Sequence, residues 1–290
     1  MERLGTVAVV GVGLIGGSIG AALRARSLAK RVVGIGRSPE NLAEALRVGA
    51  VDDVTTDLER GVAEADVVAI CTPVTMIADV AARAAAAGPA GVLVTDAGST
   101  KRTIVEAVER DGRARNVFVA AHPIAGSEKK GAAAANPGLF DGRPCVLTPT
   151  THTPVDRLDR ARAFWKAIGC RVVELDPTAH DEALALTSHL PHAVAAALAA
   201  AVPVEALGLA AGAYRDGTRV AGSDAALWAG IFGENRGPLL NALDRFEIQL
   251  SAFRRALEAG DDDAVRAWWD AARSRRSHFQ DRQTPPPDVD

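Results

Sequence analysis

Between residues 7 and 176, short runs rich in valine and isoleucine recur between longer segments with helical spacing. "VAVVGV" (7–12), "RVVGIG" (31–36), "DVVAICT" (66–72), "VLVTDAG" (92–98) and "NVFVAAH" (116–122) are apolar on successive residues. A strand with one wet face alternates apolar and polar positions, so these runs predict parallel strands covered on both faces. "PCVLTPT" (144–150) and "RVVELD" (171–176) predict two more strands extending the same sheet. Strand and helix patterns in alternation predict a doubly wound α/β domain of the Rossmann type.

After Asp176 the strand pattern stops. Asp176 followed by Pro177 reads as a helix N-cap with proline at the first helical position, and the segments onward to about residue 282 read as helices. The predicted organisation is a dinucleotide-binding domain over 1–176 and an all-α domain over 177–283. The tail "TPPPDVD" (284–290) is proline-rich and acidic with nothing to bury, which predicts disorder. A chain of 290 residues fits two domains, and no internal repeat is present.

Composition narrows the partners. With 48% hydrophobic and 24% charged residues the chain is globular, and its many alanines favour helices packed through small side chains. Lys and Arg total 33 against 36 Asp and Glu, so no basic surplus calls for nucleic acid or an anionic membrane. Cys71, Cys145 and Cys170 are widely spaced without a C-x-x-C pair, and read as buried, reduced thiols. The N-terminus reads as a first strand broken by glycines, not as a signal peptide. Apart from the alanine-rich 193–213, interrupted by Pro203 and Glu205, no run approaches the ~18 apolar residues of a membrane helix. The expected location is cytoplasmic.

"GVGLIG" (11–16) follows the first strand and opens a helix, the setting in which a G-x-G-x-x-G match has a mechanism. Gly11 permits the tight turn, Gly13 lets backbone approach a pyrophosphate, and Gly16 lets helix and strand pack closely. With Leu14 and Ile15 these form the predicted cofactor loop; the alternative is a tight turn without ligand. At the end of the second strand, where an acid would bind the ribose hydroxyls of NAD, the sequence has Gly36 followed by Arg37 and Ser38. Loss of the acid and gain of an arginine fork favour the 2′-phosphate of NADP over NAD, although Arg37 stacking on adenine would serve either cofactor. Thr72 and Pro73, leaving the fourth strand, are placed along the same crevice.

Polar residues cluster where other strands end. "TDAGSTK" (95–101) and "AHPIAGSEKKG" (121–131) both leave the carboxyl edge of the sheet, where open α/β sheets bind ligands. That edge brings Ser99 near His122, with Ser99 serving a ligand, a helix N-cap, or both. "SHLPH" (188–192) sets His189 and His192 three residues apart on one helix face; no carboxylate or cysteine pattern accompanies them, so no metal site is expected. A structural role stays open for His189. Arg215 and Arg219 in "YRDGTRVAGSD" (214–224) either clamp a carboxylate or pair with Asp216 or Asp224.

In this order, "VAVVGVGLIGGSIG", "TDAGSTK", "AHPIAGSEKKG", "SHLPH" and "TRVAGSDAALWAGIFGEN" (218–235) resemble the prephenate and arogenate dehydrogenase family over nearly the whole chain. The resemblance implies oxidative decarboxylation of a cyclohexadienyl substrate, with hydride passing to NAD(P)+ and the ring losing its carboxylate as it aromatises. It implies His122 as the base that takes the hydroxyl proton, a task suited to a group titrating near neutrality, and Ser99 as its orienting partner. It implies Arg219 as the carboxylate clamp, His192 as a second substrate contact, Ser127 and Glu128 as pocket wall, and Trp228 as a pocket aromatic or a packing residue. A histidine donating to a side-chain carboxylate or carbonyl tips the substrate toward the keto acid. It also implies a homodimer formed through the helical domains, whose residues 212–224 reach the neighbouring pocket. The chain ends soon after the helices, so neither a regulatory domain nor a chorismate mutase segment is expected. Two other readings compete. A β-hydroxyacid-type dehydrogenase would want a catalytic lysine on the first helix after the sheet domain, and 177–202 has none. A non-catalytic NADP and metabolite sensor would keep the glycine loop without needing Ser99, His122 and Arg219 together.

Overall fold

The computed structural model describes residues 3–126 and 129–283. Ser127, Glu128 and the tail 284–290 lie outside the described residues. The strands are β1 (Leu4–Val10), β2 (Ala29–Ile35), β3 (Asp53–Thr55), β4 (Val67–Ile70), β5 (Leu93–Asp96), β6 (Phe118–Val119), β7 (Ala121–Pro123), β8 (Pro144–Leu147) and β9 (Arg171–Glu174). The helices among and beyond them are α1 (Leu14–Ala25), α2 (Pro39–Arg47), α3 (Leu58–Val62), α4 (Ile77–Ala87), α5 (Arg102–Glu109), α6 (Val155–Ala167), α7 (Pro177–Leu184), α8 (Leu190–Ala201), α9 (Gly212–Thr218), α10 (Ala225–Glu234), α11 (Arg236–Ala259) and α12 (Asp262–Gln283).

Six parallel strands run in the order β3-β2-β1-β4-β5-β6. Val10 pairs with Ile35 on one side and Ile70 on the other, so the strand order reverses beside β1 and opens a crevice at the carboxyl ends. Burial explains why the strand sequences do not alternate. Val7 and Val9 of β1 pack with Ile19, Leu23, Phe164 and Trp165 on one face, while Ala8 and Val10 pack with Ile70, Ile77 and Val105 on the other. Both faces are covered, so both sets of side chains are apolar.

β8 and β9 do not extend this sheet. They form a second one in the order β7-β8-β9, with β7 antiparallel and β9 parallel to β8. The run 116–122 is therefore two strands in two sheets. The cause is Asp96, whose carboxylate accepts the Ala121 backbone N–H at 2.9 Å and so removes a ladder donor. Meanwhile the Ala120 carbonyl accepts from Thr148 at 3.0 Å, which hands the chain to β8. His122 consequently sits on an edge strand opposite Val146, rather than on the sixth strand of the large sheet. Short β3 escaped the sequence pattern because two of its three residues are polar.

Asp176 caps α7 as its sequence suggests, accepting from Thr178 N at 3.0 Å and Ala179 N at 2.9 Å. Residues Ala185–His189 widen into a π-turn between α7 and α8. Pro191 follows directly; its ring lacks an N–H and crowds the carbonyl four residues earlier, which a widened turn relieves. Among the described residues one continuous stretch, Pro177–Ala201, is long and apolar enough to cross a membrane by length and composition. Its polar side chains His180, Asp181 and His189 are buried within the chain, while Leu186 and Leu198 are exposed. The chain divides into two compact units, one extending to Leu239 and one beginning at Leu240. In the latter, Phe253 stacks on Trp268 with ring centroids 4.7 Å apart.

Candidate active site

The glycine loop has the stereochemistry its spacing requires. Gly11 has φ of +91°, and a Cβ there would stand 2.6 Å from the Cys71 carbonyl oxygen. A Cβ on Gly16 would lie 2.2 Å from the Gly11 oxygen, whereas Gly13 faces open space. Two glycines are thus demanded by packing and the third by what approaches the loop. Gly13 is also the N-cap of α1 and offers no capping side chain, so the first-turn N–H groups of Leu14 and Ile15 stand at the mouth of the crevice. Across it, the Thr72 hydroxyl is buried without a hydrogen-bond partner among the described residues, beside exposed Pro73. An open glycine face, an uncapped helix start and an orphaned hydroxyl fit a dinucleotide. Burial pushes the neighbouring Cys71 thiol up, so it stays protonated. Arg37 is exposed and has no hydrogen-bond or ion-pair partner among the described residues. Ser38 caps α2 by accepting from Asn41 N at 3.2 Å and donates to Glu40 at 2.7 Å.

His122 lies at one end of a buried hydrogen-bonded chain. Its Nδ1 is 2.9 Å from His180 Nε2, and His180 Nδ1 is 2.7 Å from Asp181 Oδ1. Asp181 Oδ1 accepts from the Lys101 backbone N–H at 2.8 Å, and Oδ2 from Arg102 N at 3.0 Å. This carboxylate therefore caps α5, whose start at Arg102 leaves Ser99 outside the helix and not its N-cap. Ser99 is half-buried on the turn between β5 and α5. The Lys101 ammonium forms a fully buried ion pair with Asp96, and Asp96 also accepts from Gly98 N at 2.9 Å. Burial first, then the charges of His180, Lys101 and His189, hold His122 well below the usual histidine range. The neutral imidazole can accept a proton, but its pKa lies below the near-neutral value expected from the sequence.

His189 belongs to the same interior. The Asn235 amide donates to the Asp181 carbonyl at 2.7 Å and lies 3.0 Å from His189 Nδ1. His189 Nε2 and Asn235 Oδ1 have no hydrogen-bond partner among the described residues. Burial takes His189 down to about 4.

The remaining predicted contacts sit on a more open face. His192 stacks on Trp228 with centroids 3.7 Å apart and planes 25° from parallel. Trp228 is half-buried and also touches His189 and Phe232. The His192 Nδ1–H donates to the Ser188 carbonyl at 2.8 Å. Burial and the nearby Arg219 charge lower its pKa against the opposing pull of that carbonyl. The donor that the sequence offered to substrate is thus committed to the backbone. Neutral His192 presents a lone pair at Nε2, which removes the reason for favouring a keto acid. Arg219 is exposed on the turn after α9. Asp224 pairs with Lys130 at 2.9 Å, and Arg215 pairs with Asp216 at 3.3 Å on the surface.

Four residues of this interior, Asp96, Lys101, His180 and Asp181, were not singled out from the sequence. A signal existed for two of them. His180 and Asp181 share the buried side of α7 with Leu184, and polar residues on an apolar helical stripe need partners.

The strand order and the glycine loop define the class: a dinucleotide-binding α/β protein followed by helices. Comparison with known proteins narrows it. The nucleotide-binding domain model of prephenate dehydrogenase matches residues 19–174, and its dimerization domain model matches 176–270. The cyclohexadienyl dehydrogenase of Zymomonas mobilis is 36% identical over 266 residues, covering 89% of this chain and 90% of that protein. Prephenate dehydrogenase from Aquifex aeolicus, solved with hydroxyphenyl propionate and NAD+, superposes with a TM-score of 0.88 at 30% identity, covering 96% of this chain and 99% of that one. Arogenate dehydrogenase from Synechocystis gives 0.79 at 28% identity, covering 94% and 99%. The chain belongs to the prephenate dehydrogenase family and is an oxidoreductase of that family.

Proposed function

We propose that the protein oxidatively decarboxylates prephenate or arogenate, in tyrosine biosynthesis, with His122 as the general base. The observation that carries this reading is a buried imidazole held neutral at the edge of a crevice built for a dinucleotide. A bound nicotinamide supplies the hydride acceptor. The chain's own residues do the rest: His122 takes the C4 hydroxyl proton as the C–H bond breaks, and Ser99 on the adjoining turn orients the hydroxyl. Arg219 grips a carboxylate of the substrate near the His192–Trp228 stack. Carbon dioxide leaves with aromatisation of the ring as the driving force.

NADP is the favoured cofactor, because exposed Arg37 can reach a 2′-phosphate and no acid stands at Gly36. The division between cofactor and substrate halves falls at Asp176. A homodimer is supported by the dimerization-domain match and by apolar side chains left on the surface of the helical region, including Val204 at 77% and Leu209 at 91% exposure.

Turnover of prephenate and arogenate, each with NAD+ and NADP+, tests the reading by nicotinamide absorbance. Reduction with NADP+ and one of the two substrates is expected; no reduction in any combination overturns it. His122→Asn should keep cofactor binding and lose turnover by ~10²-fold or more, the range of general-base catalysis. An active variant would move the base elsewhere.

A further inference from the structure

We propose that His180 and Asp181 act as positioning residues that fix the His122 proton on Nδ1, leaving Nε2 as the lone pair that accepts the substrate proton. The inference rests on reading His122 as the base, and follows from counting donors along the chain. An ionised carboxylate only accepts. Asp181 is ionised: burial alone would raise its pKa, but the His180 bond and the backbone N–H groups of Arg102 and Lys101 outweigh burial and lower it. The 2.7 Å contact therefore places a proton on His180 Nδ1. Burial, partly opposed by Asp181, keeps His180 neutral, so its Nε2 carries a lone pair. The 2.9 Å contact can then exist only if His122 Nδ1 donates. Neutral His122 has one proton, and it is already placed.

The rest of the interior keeps this arrangement in register. Asp181 holds the start of α5 through two backbone N–H groups, while Asp96 holds the Ala121 N–H next to His122 and the Lys101 ammonium. Residues 96–102 thus hold the backbone beside His122 and the carboxylate that bonds His180. When the substrate hydroxyl proton moves to Nε2, the charge formed on His122 is stabilised through His180 by the Asp181 carboxylate. No bond to these two residues is made or broken, and the proton stays on His122 until solvent removes it.

Nitrogen-15 spectra of the histidine side chains in the full-length enzyme test this, with His122 assigned by its loss in His122→Asn. The expected spectrum has His122 protonated at Nδ1 near pH 7; protonation at Nε2 overturns the relay. In His180→Leu, which removes the acceptor, the His122 proton should shift toward Nε2. Its kcat should fall ~10²-fold with little change in either KM, a loss on the scale of a misplaced general base. His180→Gln should recover most of the rate, since Asp181 would draw its amide N–H groups and turn its oxygen toward His122. If His180→Leu keeps both the Nδ1 proton and its rate, the relay is wrong, while the assignment of His122 as base is left standing. Should His122→Asn itself turn over, the base assignment fails whatever the tautomer. If His180→Leu does not fold, the unmodified spectrum and His180→Gln still decide.

Discussion

Two faces of the proposed substrate region are built to opposite rules. Around His122 the polar groups are enclosed and its own network is bonded within the chain: His180 is 0% and Asp181 1% exposed, and Lys101 and Asp96 are sealed together. Around His192, Trp228 and Arg219 the side chains are half-buried or exposed, and packing is by stacking. The difference separates two jobs. Proton transfer depends on geometry held to fractions of an ångström, which a buried network supplies before any ligand arrives. Recognition of a charged substrate needs groups that remain accessible to it.

If that contrast is right, damage to the enclosed face should register first as lost stability, and damage to the open face as weaker substrate binding. The largest effect is expected for Lys101→Met, which leaves the Asp96 carboxylate buried without its cation. It should cost about 3–5 kcal/mol, read from denaturant melts; a loss below 1 kcal/mol would mean that the Gly98 and Ala121 N–H groups alone satisfy Asp96.

Acid comes next. His189 titrates at about 4 in the folded chain against an ordinary 6.5, so the folded state favours its neutral form. The resulting stability is complete above pH 6.5 and is lost as pH falls from there toward 4. The full effect is ~3 kcal/mol from this group. Melting temperatures between pH 7 and 4 measure it, and His189→Gln should flatten that fall. The lowered His122 pKa acts on rate in the same direction: the acid limb of kcat/KM should lie below pH 6.5, because the base stays neutral there.

The smallest effect belongs to the open face. Arg219→Ala should raise the substrate KM about tenfold, the worth of one charge-assisted hydrogen bond, with unfolding midpoint unchanged. A collapsed kcat or a large loss of stability would place Arg219 inside the rigid network and erase the distinction. Arg215→Ala, which breaks only an exposed pair, is the matched control.

Legibility in the sequence followed the range of the forces involved. Gly11 and Gly16 announced themselves because the positive φ of the first and the clash of the second with the Gly11 oxygen are local to the loop. Asp176 declared its helix start for the same reason, whereas Ser38, read from the sequence only as a cofactor residue, turns out to cap α2. Ser99 looked equally like a cap, but α5 begins at Arg102 and is capped by Asp181, 79 residues from it. The two extra strands were visible as strands, yet their sheet was not, since Asp96 intercepts the Ala121 N–H and sends the chain into a second sheet. Substrate choice shows the same limit. The resemblance implied His192 as a substrate contact, but which of its nitrogens carries the proton depends on the Ser188 carbonyl that the π-turn presents.

By itself the sequence determined the doubly wound domain, the glycine loop, the helical region after Asp176 and the candidacy of His122. The first three rest on periodicity, backbone stereochemistry and short-range capping, and the candidacy of His122 on its strand end at the carboxyl edge and on the family resemblance. Tertiary structure alone decided that His122 meets His180 across 58 residues, that Asp181 caps α5 while bonding an imidazole, and that Lys101 and Asp96 are sealed together. Hydrogen bonds between distant segments have no local signature, because each partner is satisfied equally well by water until the chain closes around it.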